Sequence, residues 1–158
     1  MHVCVLCVGK LKEDWQRSAC REYLKRLSRY GRFAVVEVPD QSEPLNASDA
    51  QRRQVMDREG EALLKQIRPG DWVAALCIRG EAPDSHGLAK KMGEWEQAGR
   101  RVVLVIGGSL GLSDAVLARA DQRLSFSRLT FPHALMRVIL LEQLYRGCKI
   151  NAGERYHK

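Results

Sequence analysis

The sequence lacks several features that would assign it to a class at once. No apolar run approaches the roughly 18 residues that a membrane-spanning helix needs, so no membrane association is expected. The opening segment MHVCVLCVGK has neither the basic start nor the small-residue cleavage site of a secretory signal peptide. The phosphate-loop fingerprints GxGxxG and GxxxxGK(S/T) are also missing. The sequence therefore shows no targeting signal, membrane-spanning segment or nucleotide-phosphate motif.

The cysteines form no complete metal or disulfide pattern. Their number is odd, and four of the five lie in apolar segments; they stand at positions 4, 7, 20, 77 and 148. Cys4 and Cys7 have the spacing of a metal or redox pair, but an offset of three in a strand points two side chains to opposite faces. We therefore predict reduced core thiols in a cytoplasmic protein, with no metal site.

Length, composition and charge indicate one soluble domain with an anionic partner. The 158 residues fit a single domain spanning 1–158, and the composition is 45% hydrophobic and 28% charged. Lys and Arg number 26 against 19 Asp and Glu, which gives a net charge of +7. This excess suits nucleic acid above other partners, although charge alone does not establish one.

Short apolar runs alternate with helical patterns along the chain. Strands are predicted at 2–8, 33–38, 72–78, 102–106 and 123–127. Helices are predicted at 12–30, from a Ser48–Gln51 capping box to 67, from Asp84 or Ser85 to Gly99, after Ser113, and from Pro132 to 146. The middle strands are continuously apolar, which predicts an α/β fold with a mostly parallel sheet and helices on both faces.

Ligands of such sheets lie beyond the carboxyl ends of the strands, which selects the loops after residues 78, 106 and 126. The second of these loops belongs to VVLVIGGSLGLSD at 102–114, with glycines at 107, 108 and 111. Glycines permit positive φ and close backbone approach to a ligand, but they also suit a tight strand-to-helix turn. The residues alone leave both interpretations open.

The last helix carries a charge among apolar residues. It follows the polar cluster of Ser125, Ser127, Arg128 and Thr130, and ALMRVILLEQLY is apolar on most sides, which predicts burial in a core or an oligomer interface. Arg137 stands four residues after His133, so the two lie on one helix face. A charge there needs a partner or a purpose, so a structural ion pair and a functional role both remain open.

Four segments then carry a family resemblance that covers essentially the whole chain. VGKLKEDW, VVLVIGGSLGLSDAVLARAD, LSFSRLTFPHALMRVILLEQLYR and GERYHK resemble the ribosomal RNA large-subunit methyltransferase H family, part of the SPOUT superfamily of S-adenosylmethionine (SAM)-dependent RNA methyltransferases. The resemblance implies a homodimer with a C-terminal trefoil knot. It also implies methyl transfer from SAM to N3 of a pseudouridine in helix 69 of bacterial 23S rRNA, on the assembled ribosome.

The resemblance also implies the cofactor contacts, which fall on the three selected loops. They are Leu76, Gly108, Phe126, Ser127, Arg128, Leu129, Thr130 and Phe131. On this interpretation the glycines let the backbone wrap adenine and methionine rather than cradle phosphate.

The catalytic candidates follow from the acceptor atom. N3 of a pseudouridine is an imide nitrogen, a poor nucleophile until its proton leaves, so His133 and His157 are candidate proton acceptors. Arg137 could stabilise negative charge on a uracil carbonyl or bind phosphate, and Tyr156 could stack on or hydrogen-bond the base. Without the resemblance, His157 reads as a frayed terminal residue.

A basic stripe on the first helix is a candidate RNA contact. It steps by four residues, opposite part of the apolar face that includes Trp15, and consists of Arg17, Arg21, Lys25 and Arg29. A solvated surface is the alternative for the stripe. For the whole chain the alternatives are a non-catalytic ribosome- or RNA-binding factor and, disfavoured by the missing fingerprint, a flavodoxin-like nucleotide-binding protein.

Overall fold

The computed structural model describes residues 1–156, which form five strands and five helices. The strands are β1 (His2–Val8), β2 (Arg32–Val38), β3 (Trp72–Glu81), β4 (Val102–Ile106) and β5 (Gln122–Leu124). The helices are α1 (Asp14–Leu27), α2 (Asp49–Leu64), α3 (Ser85–Ala98), α4 (Asp114–Arg119) and α5 (His133–Asn151). Within these 156 residues, no helix is both long and apolar enough to cross a membrane.

All five strands join one parallel sheet in the order β2-β1-β4-β3-β5. Of the three inner strands, β1 and β4 are buried on both faces, as their unbroken apolar runs predict. The parallel α/β architecture is therefore confirmed, whereas the trefoil knot stays a prediction. In such a sheet every strand ends at the same edge, and the loops that follow lie along it.

Side chains alternate between two cores, one on each face of the sheet. Cys7 belongs to the core under α1, α3 and α5, and Cys4 belongs to the core under α2 and α4. The prediction that these two cysteines point to opposite faces is confirmed, because side chains an odd number of positions apart in a strand lie on opposite faces. Helices on both faces are confirmed by the same two cores.

The helix boundaries follow the capping signals. Ser48 accepts a hydrogen bond from the Gln51 amide, and the Gln51 side chain accepts one from the Ser48 amide, which completes the predicted capping box. Asp84 caps α3, and Gly99 ends it in the left-handed conformation at φ +66°. Ser113 caps α4. These signals act through local backbone chemistry, which is why they can be read from sequence.

Two elements, α5 and β3, run further than predicted because tertiary contacts extend them. The last helix continues past 146 to Asn151, whose side-chain amide donates to the Ala89 carbonyl of α3 at 2.8 Å. β3 continues past 78 to Glu81, whose carbonyl accepts from the Ser125 amide at 2.8 Å, while β5 is shorter than expected.

Trp15 does not face the core as its helical spacing suggested. The inward face of α1 runs through Gln16, Cys20, Tyr23 and Leu27, and Trp15 lies outside that series with 56% of its surface exposed. The predicted apolar face therefore begins one residue later.

Candidate functional site

The predicted cofactor residues lie along the carboxyl edge of the sheet, after three neighbouring strands. Leu76 of β3 pairs with Leu124 of β5, two residues before Phe126. Leu76, Phe126, Ser127 and Phe131 are half-buried, whereas the loop between 128 and 130 is exposed. The sheet thus places the set on one edge, as the position of these loops predicted.

The segment 125–131 has no regular secondary structure but is held by its own polar groups. Ser125 Oγ donates to the Ser127 carbonyl at 2.9 Å, and the Leu129 amide donates to Ser127 Oγ at 2.9 Å. The Leu129 side chain is 70% exposed, and Ile78 at the end of β3 is 54% exposed. Two exposed large apolar side chains at the same edge offer a surface that a flat ring can cover. Ile78 was missed because it ends an apolar run that looked like core.

The glycines after β4 are required first by the packing of the protein itself. The Gly111 amide donates to the Gly108 carbonyl at 3.1 Å, so the loop closes on itself. A Cβ on Gly107 would lie 2.7 Å from the Gly111 carbonyl carbon, and one on Gly108 would lie 2.9 Å from Glu59 Oε1. A side chain at 108 would therefore meet α2. This geometry supports the tight-turn interpretation of these two glycines.

Glu59 is a buried carboxylate that the sequence analysis missed. It lies beneath the glycine loop and accepts a hydrogen bond from the Gln41 amide at 3.1 Å. Burial raises the pKa of Glu59 above its ordinary value, the Gln41 amide opposes this rise, and Asp40 adds to it. Its i, i+4 spacing from the buried Val55 and Leu63 of α2 was the signal that predicts an inward position.

Arg137 lies inside the protein, on the same helix face as His133. Its side chain is 1% exposed; Nη2 donates to the Gly9 carbonyl at 2.9 Å, and Nη1 lies 3.4 Å from Glu37 Oε1. Nε and Nη1 have no hydrogen-bond partner among the described residues. A guanidinium has five N–H donors, so this charge is only partly satisfied. Both an ion pair and an unused donor capacity are present.

His133 begins α5 and borders the turn after β1. Gly9 has φ +81°, and a Cβ built on it would lie 3.6 Å from His133 Nε2. Burial lowers the pKa of His133 below its ordinary value, the Arg137 charge lowers it further, and Asp40 opposes both. The imidazole is therefore neutral at pH 7 and able to accept a proton.

A cleft of about 680 Å³ opens above the carboxyl ends of β1 and β2. It is bordered by the turn after each strand, the start of α1 and the start of α5; its lining residues are Gly9, Lys10, Lys12, Glu13, Gln16, Glu37, Val38, Pro39, Asp40, His133 and Ala134. The sequence analysis applied the strand-end rule to three strands only. The same rule applied to β1 and β2 points to this cleft.

Tyr156 packs against the middle of α5. Its hydroxyl lies 3.3 Å from Glu142 Oε1, its ring centroid lies 4.9 Å from that of Tyr145, and the Arg146 guanidinium stacks over it. Nine helical residues separate Glu142 from His133, a rise of about 14 Å. One chain therefore does not bring Tyr156 to His133. His157, the other tail candidate, lies outside the described residues.

The basic stripe of α1 lies on the surface, as expected of either interpretation. Arg17, Arg21, Lys25 and Arg29 are all exposed. The Arg17 guanidinium is already engaged, because Nη1 donates to the Leu11 and Lys12 carbonyls at 2.8 and 3.0 Å. Arg17 therefore stabilises the turn before α1, and an RNA contact by the stripe stays a prediction.

Comparisons with known proteins agree over the whole chain. A family profile described as "Predicted SPOUT methyltransferase" matches residues 1–157. "Ribosomal RNA large subunit methyltransferase H" of Bifidobacterium animalis subsp. lactis (strain AD011) is 51% identical, and that of Bifidobacterium adolescentis is 52% identical; each alignment covers 100% of both chains.

A solved structure supports the fold. "The structure of a probable methylase family protein from Haemophilus influenzae Rd KW20" aligns with a TM-score of 0.57 over 99% of this chain and 70% of that chain, at 12% identity. At that identity the likeness concerns the fold alone. The family profile and the full-length relatives show that this chain belongs to the SPOUT methyltransferases, in the ribosomal RNA large subunit methyltransferase H family.

Proposed function

We propose that this protein is a cytoplasmic enzyme that transfers a methyl group from SAM to N3 of a pseudouridine in helix 69 of 23S rRNA, on the assembled ribosome. The full-length relatives named as large-subunit rRNA methyltransferases support the substrate class. The observation that carries the chemistry is the neutral, half-buried His133, which directly follows the exposed loop of the carboxyl edge. The net charge of +7 suits an RNA substrate.

The residues of the carboxyl edge fit SAM. Leu76, Phe126 and Phe131 are half-buried apolar side chains beside the exposed Leu129, which suits adenine, and the backbone of 127–130 is open to polar contacts. Gly108, two residues after β4, offers its backbone amide, since its carbonyl already accepts from the Gly111 amide. A Cβ on Gly108 would meet Glu59. When bound, SAM supplies a methyl group on a sulfonium, which needs no further activation by the protein. No metal is included in this proposal.

Two tasks are then left to the residues of the chain. They accept the imide proton of the acceptor base, and they stabilise the negative charge that develops on that base. The imide N–H of the acceptor base would give its proton to His133, and N3 would keep the electron pair that forms the new N–C bond. The methyl–sulfur bond of SAM would break at the same time, with its electrons staying on sulfur and S-adenosylhomocysteine leaving. The buried positive charge of Arg137, which has no hydrogen-bond partner at Nε and Nη1 among residues 1–156, favours the anionic form of a nearby base. Because its side chain is buried, Arg137 acts through this field rather than by binding phosphate.

The proposal includes a homodimer and the knotted chain path of the family. The apolar Leu135 and Ile139 of α5 are only half-buried in the single chain and are available to a second copy. A dimer would also allow the partner subunit's Tyr156 and the partner subunit's His157 to reach the site, whereas Tyr156 of the same chain packs against Glu142 and Tyr145. Light scattering should give about twice the 17.9 kDa of one chain.

The decisive experiment measures SAM binding and methyl transfer separately. Titration calorimetry with SAM distinguishes an enzyme from a non-catalytic RNA-binding factor, which should ignore the cofactor. Ribosomes from a strain lacking the gene are then methylated by the purified protein, and the product is mapped by nuclease digestion and mass spectrometry. Methylation at another nucleotide, or no SAM binding, would refute the proposal.

The proton acceptor is assigned with two matched variants. His133→Gln should lower kcat by roughly 10²- to 10⁴-fold while leaving the SAM dissociation constant within twofold, because the amide cannot take the proton. In the unchanged protein, kcat should rise with pH through a pKa below the ordinary histidine value and then level off. If His157→Gln shows the larger loss and abolishes this acid limb, the partner subunit's His157 is the acceptor instead.

A further inference from the structure

We infer that Glu59 is a specificity-determining residue of the cofactor site, whose buried negative charge favours the cationic SAM over the product S-adenosylhomocysteine, in which the sulfur is uncharged. The inference rests on the proposed use of SAM. It adds how the site distinguishes the methyl donor from the molecule that remains after transfer. The position of Glu59, the absence of a compensating cation and the charges of the two ligands carry the inference.

Glu59 lies directly beneath the glycine loop after β4, which comprises residues 107–111. A Cβ built on Gly108 would lie 2.9 Å from Oε1 and 3.1 Å from Oε2 of Glu59, so both carboxylate oxygens are close to the backbone of this residue. Gly108 is also one of the proposed cofactor contacts. The carboxylate of Glu59 therefore adjoins a backbone segment that SAM is proposed to contact.

Helix α2 fixes the carboxylate in this position. The residue that follows Glu59 is Gly60, and a Cβ on Gly60 would overlap the hydroxyl of Ser113, which caps α4. Two consecutive residues of α2 therefore contact the chain on both sides of the glycine loop. Because Glu59 is only 4% exposed, its charge is held against the loop rather than in solvent.

No cation within residues 1–156 forms a salt bridge with Glu59. Its carboxylate accepts a hydrogen bond from the Gln41 amide at 3.1 Å, and the charged group that shifts its pKa is Asp40, which raises it further as burial does. The loop and β1 bring Gly108 and Val8 against it, and neither side chain is charged. A buried carboxylate without a cation costs free energy, so a positive charge bound at the loop would offset part of that cost.

The two ligands differ by one positive charge. SAM carries its methyl group on a sulfonium, whereas S-adenosylhomocysteine has lost that methyl group and keeps a neutral thioether sulfur. Their adenosine and amino-acid groups are identical, so contacts with those groups contribute equally to the binding of both. A buried negative charge acts over several ångströms because solvent screens it little. Glu59 should therefore strengthen the binding of SAM alone, which also favours release of the product.

The first test compares the two ligands by calorimetric titration of Glu59→Gln. The variant keeps an acceptor for the Gln41 amide but removes the charge, so the dissociation constant of SAM should rise about tenfold and that of S-adenosylhomocysteine should stay within twofold. The matched control Glu61→Gln removes an exposed carboxylate of the same helix and should change neither constant more than twofold. Equal losses for the two ligands, or no loss for SAM, would overturn the inference, because a purely structural role affects both ligands alike.

The second test uses the unchanged protein. The preference for SAM over S-adenosylhomocysteine should increase between pH 4.5 and 8, because Glu59 loses its proton above the ordinary glutamate pKa. His133, which like Glu59 is near Asp40, also titrates, so Glu59→Gln is measured over the same range and should show a nearly constant preference. A constant preference in the unchanged protein, or the same increase in Glu59→Gln, would overturn the inference. Failure of the unchanged protein to bind SAM at any pH would instead refute the proposed function.

Discussion

The two edges of the sheet differ in how completely their polar groups are paired within the chain. At the amino edge, Asp71 accepts from the Arg68 amide at 2.7 Å and from Arg101 Nε at 2.9 Å. Arg100 and Arg119 donate to the Asp71 carbonyl at 2.9 and 3.0 Å. This edge is a closed network in which each of these charges finds a partner within the chain. Such a network fixes the starts of β3 and β4.

At the carboxyl edge the polar groups are left incomplete. Arg137 keeps Nε and Nη1 without hydrogen-bond partners in the described chain, His133 is neutral and half-buried, and Leu129 is largely exposed. Free donor capacity and apolar exposure both cost stability unless a ligand covers them. The comparison indicates that the amino edge stabilises the fold, whereas the carboxyl edge is suited to binding a ligand.

The largest expected effect tests this comparison of the two edges at the tail. Tyr156 packs against the middle of α5, away from the carboxyl edge. Deleting residues 155–158 should abolish methyl transfer to the ribosome while leaving dimer mass and SAM binding unchanged, since the partner subunit's tail would complete the site. The lost Tyr156–Tyr145 contact should lower the free energy of unfolding by only about 1 kcal/mol. Turnover on purified ribosomes measures the effect, and full activity would confine the chemistry to His133 and Arg137.

The amino edge is broken by Asp71→Ala. The change leaves Arg101 largely buried without its carboxylate, and the free energy of unfolding should fall by about 3 kcal/mol in urea denaturation. Burial opposes ionisation of Asp71, but hydrogen bonds from Arg101 and the Arg68 amide outweigh it and lower its pKa. Its contribution is therefore present above the ordinary aspartate pKa and is lost as the pH falls through the lowered value.

Two controls give this prediction its meaning. Glu22→Gln removes the exposed ion pair with Arg26 on α1 and should leave the free energy of unfolding nearly unchanged, because solvent screens this pair. SAM affinity of Asp71→Ala, measured where the variant is folded, should stay within twofold. A large loss of SAM affinity would mean that the two edges are coupled.

Glycines of the two edges should respond differently to alanine. Gly107→Ala places a Cβ 2.7 Å from the Gly111 backbone, so the loop must move, and SAM affinity should fall about tenfold. Gly70→Ala at the amino edge meets no described atom within 4 Å and should change neither affinity nor stability measurably. Calorimetric titration of both variants checks the pair. Unchanged affinity in Gly107→Ala would remove the glycine loop from the cofactor site.

The smallest expected effect concerns Glu59. Because burial raises its folded-state pKa, the folded protein binds a proton more readily than the unfolded chain, and stability falls as the pH rises above the ordinary glutamate value. Glu59→Gln should remove this decline while keeping an acceptor for the Gln41 amide. Urea unfolding between pH 4.5 and 8 measures the slope in both proteins. An unchanged slope would show that Glu59 does not titrate in this range.

Local signals in the sequence predicted the fold well, and the site less completely. The Ser48 capping box, the buried run of β4 and the opposed cysteines depend on neighbours in the chain, so they could be read from residues alone. Glu59 beneath Gly108 and Arg137 beneath Gly9 depend on packing between distant segments. Sequence periodicity can predict that these side chains point inward, but it cannot predict which residues of distant segments they contact.

The cleft above β1 and β2 was not predicted because the strand-end rule was applied to three of five strands. The turns after β1 and β2 carry Lys10 and Asp40 and read in sequence as ordinary polar connections. They become a cleft only when the sheet order places β1 beside β4 and α5 returns above them. The extension of α5 to Asn151 likewise depends on the hydrogen bond from the Asn151 side chain to the Ala89 carbonyl of α3. No local helix signal in the sequence predicts this contact.

The central place of β1 has a consequence for how the chain is made. Val3 pairs with Val102, so the first strand to leave the ribosome meets one of its two neighbours only about a hundred residues later. At a synthesis rate of roughly 5–20 residues per second, that interval lasts about 5–20 s. During it, a strand composed almost entirely of Val, Leu and Cys has one edge unpaired. An apolar strand edge therefore stays unpaired until the second half of the chain has been made.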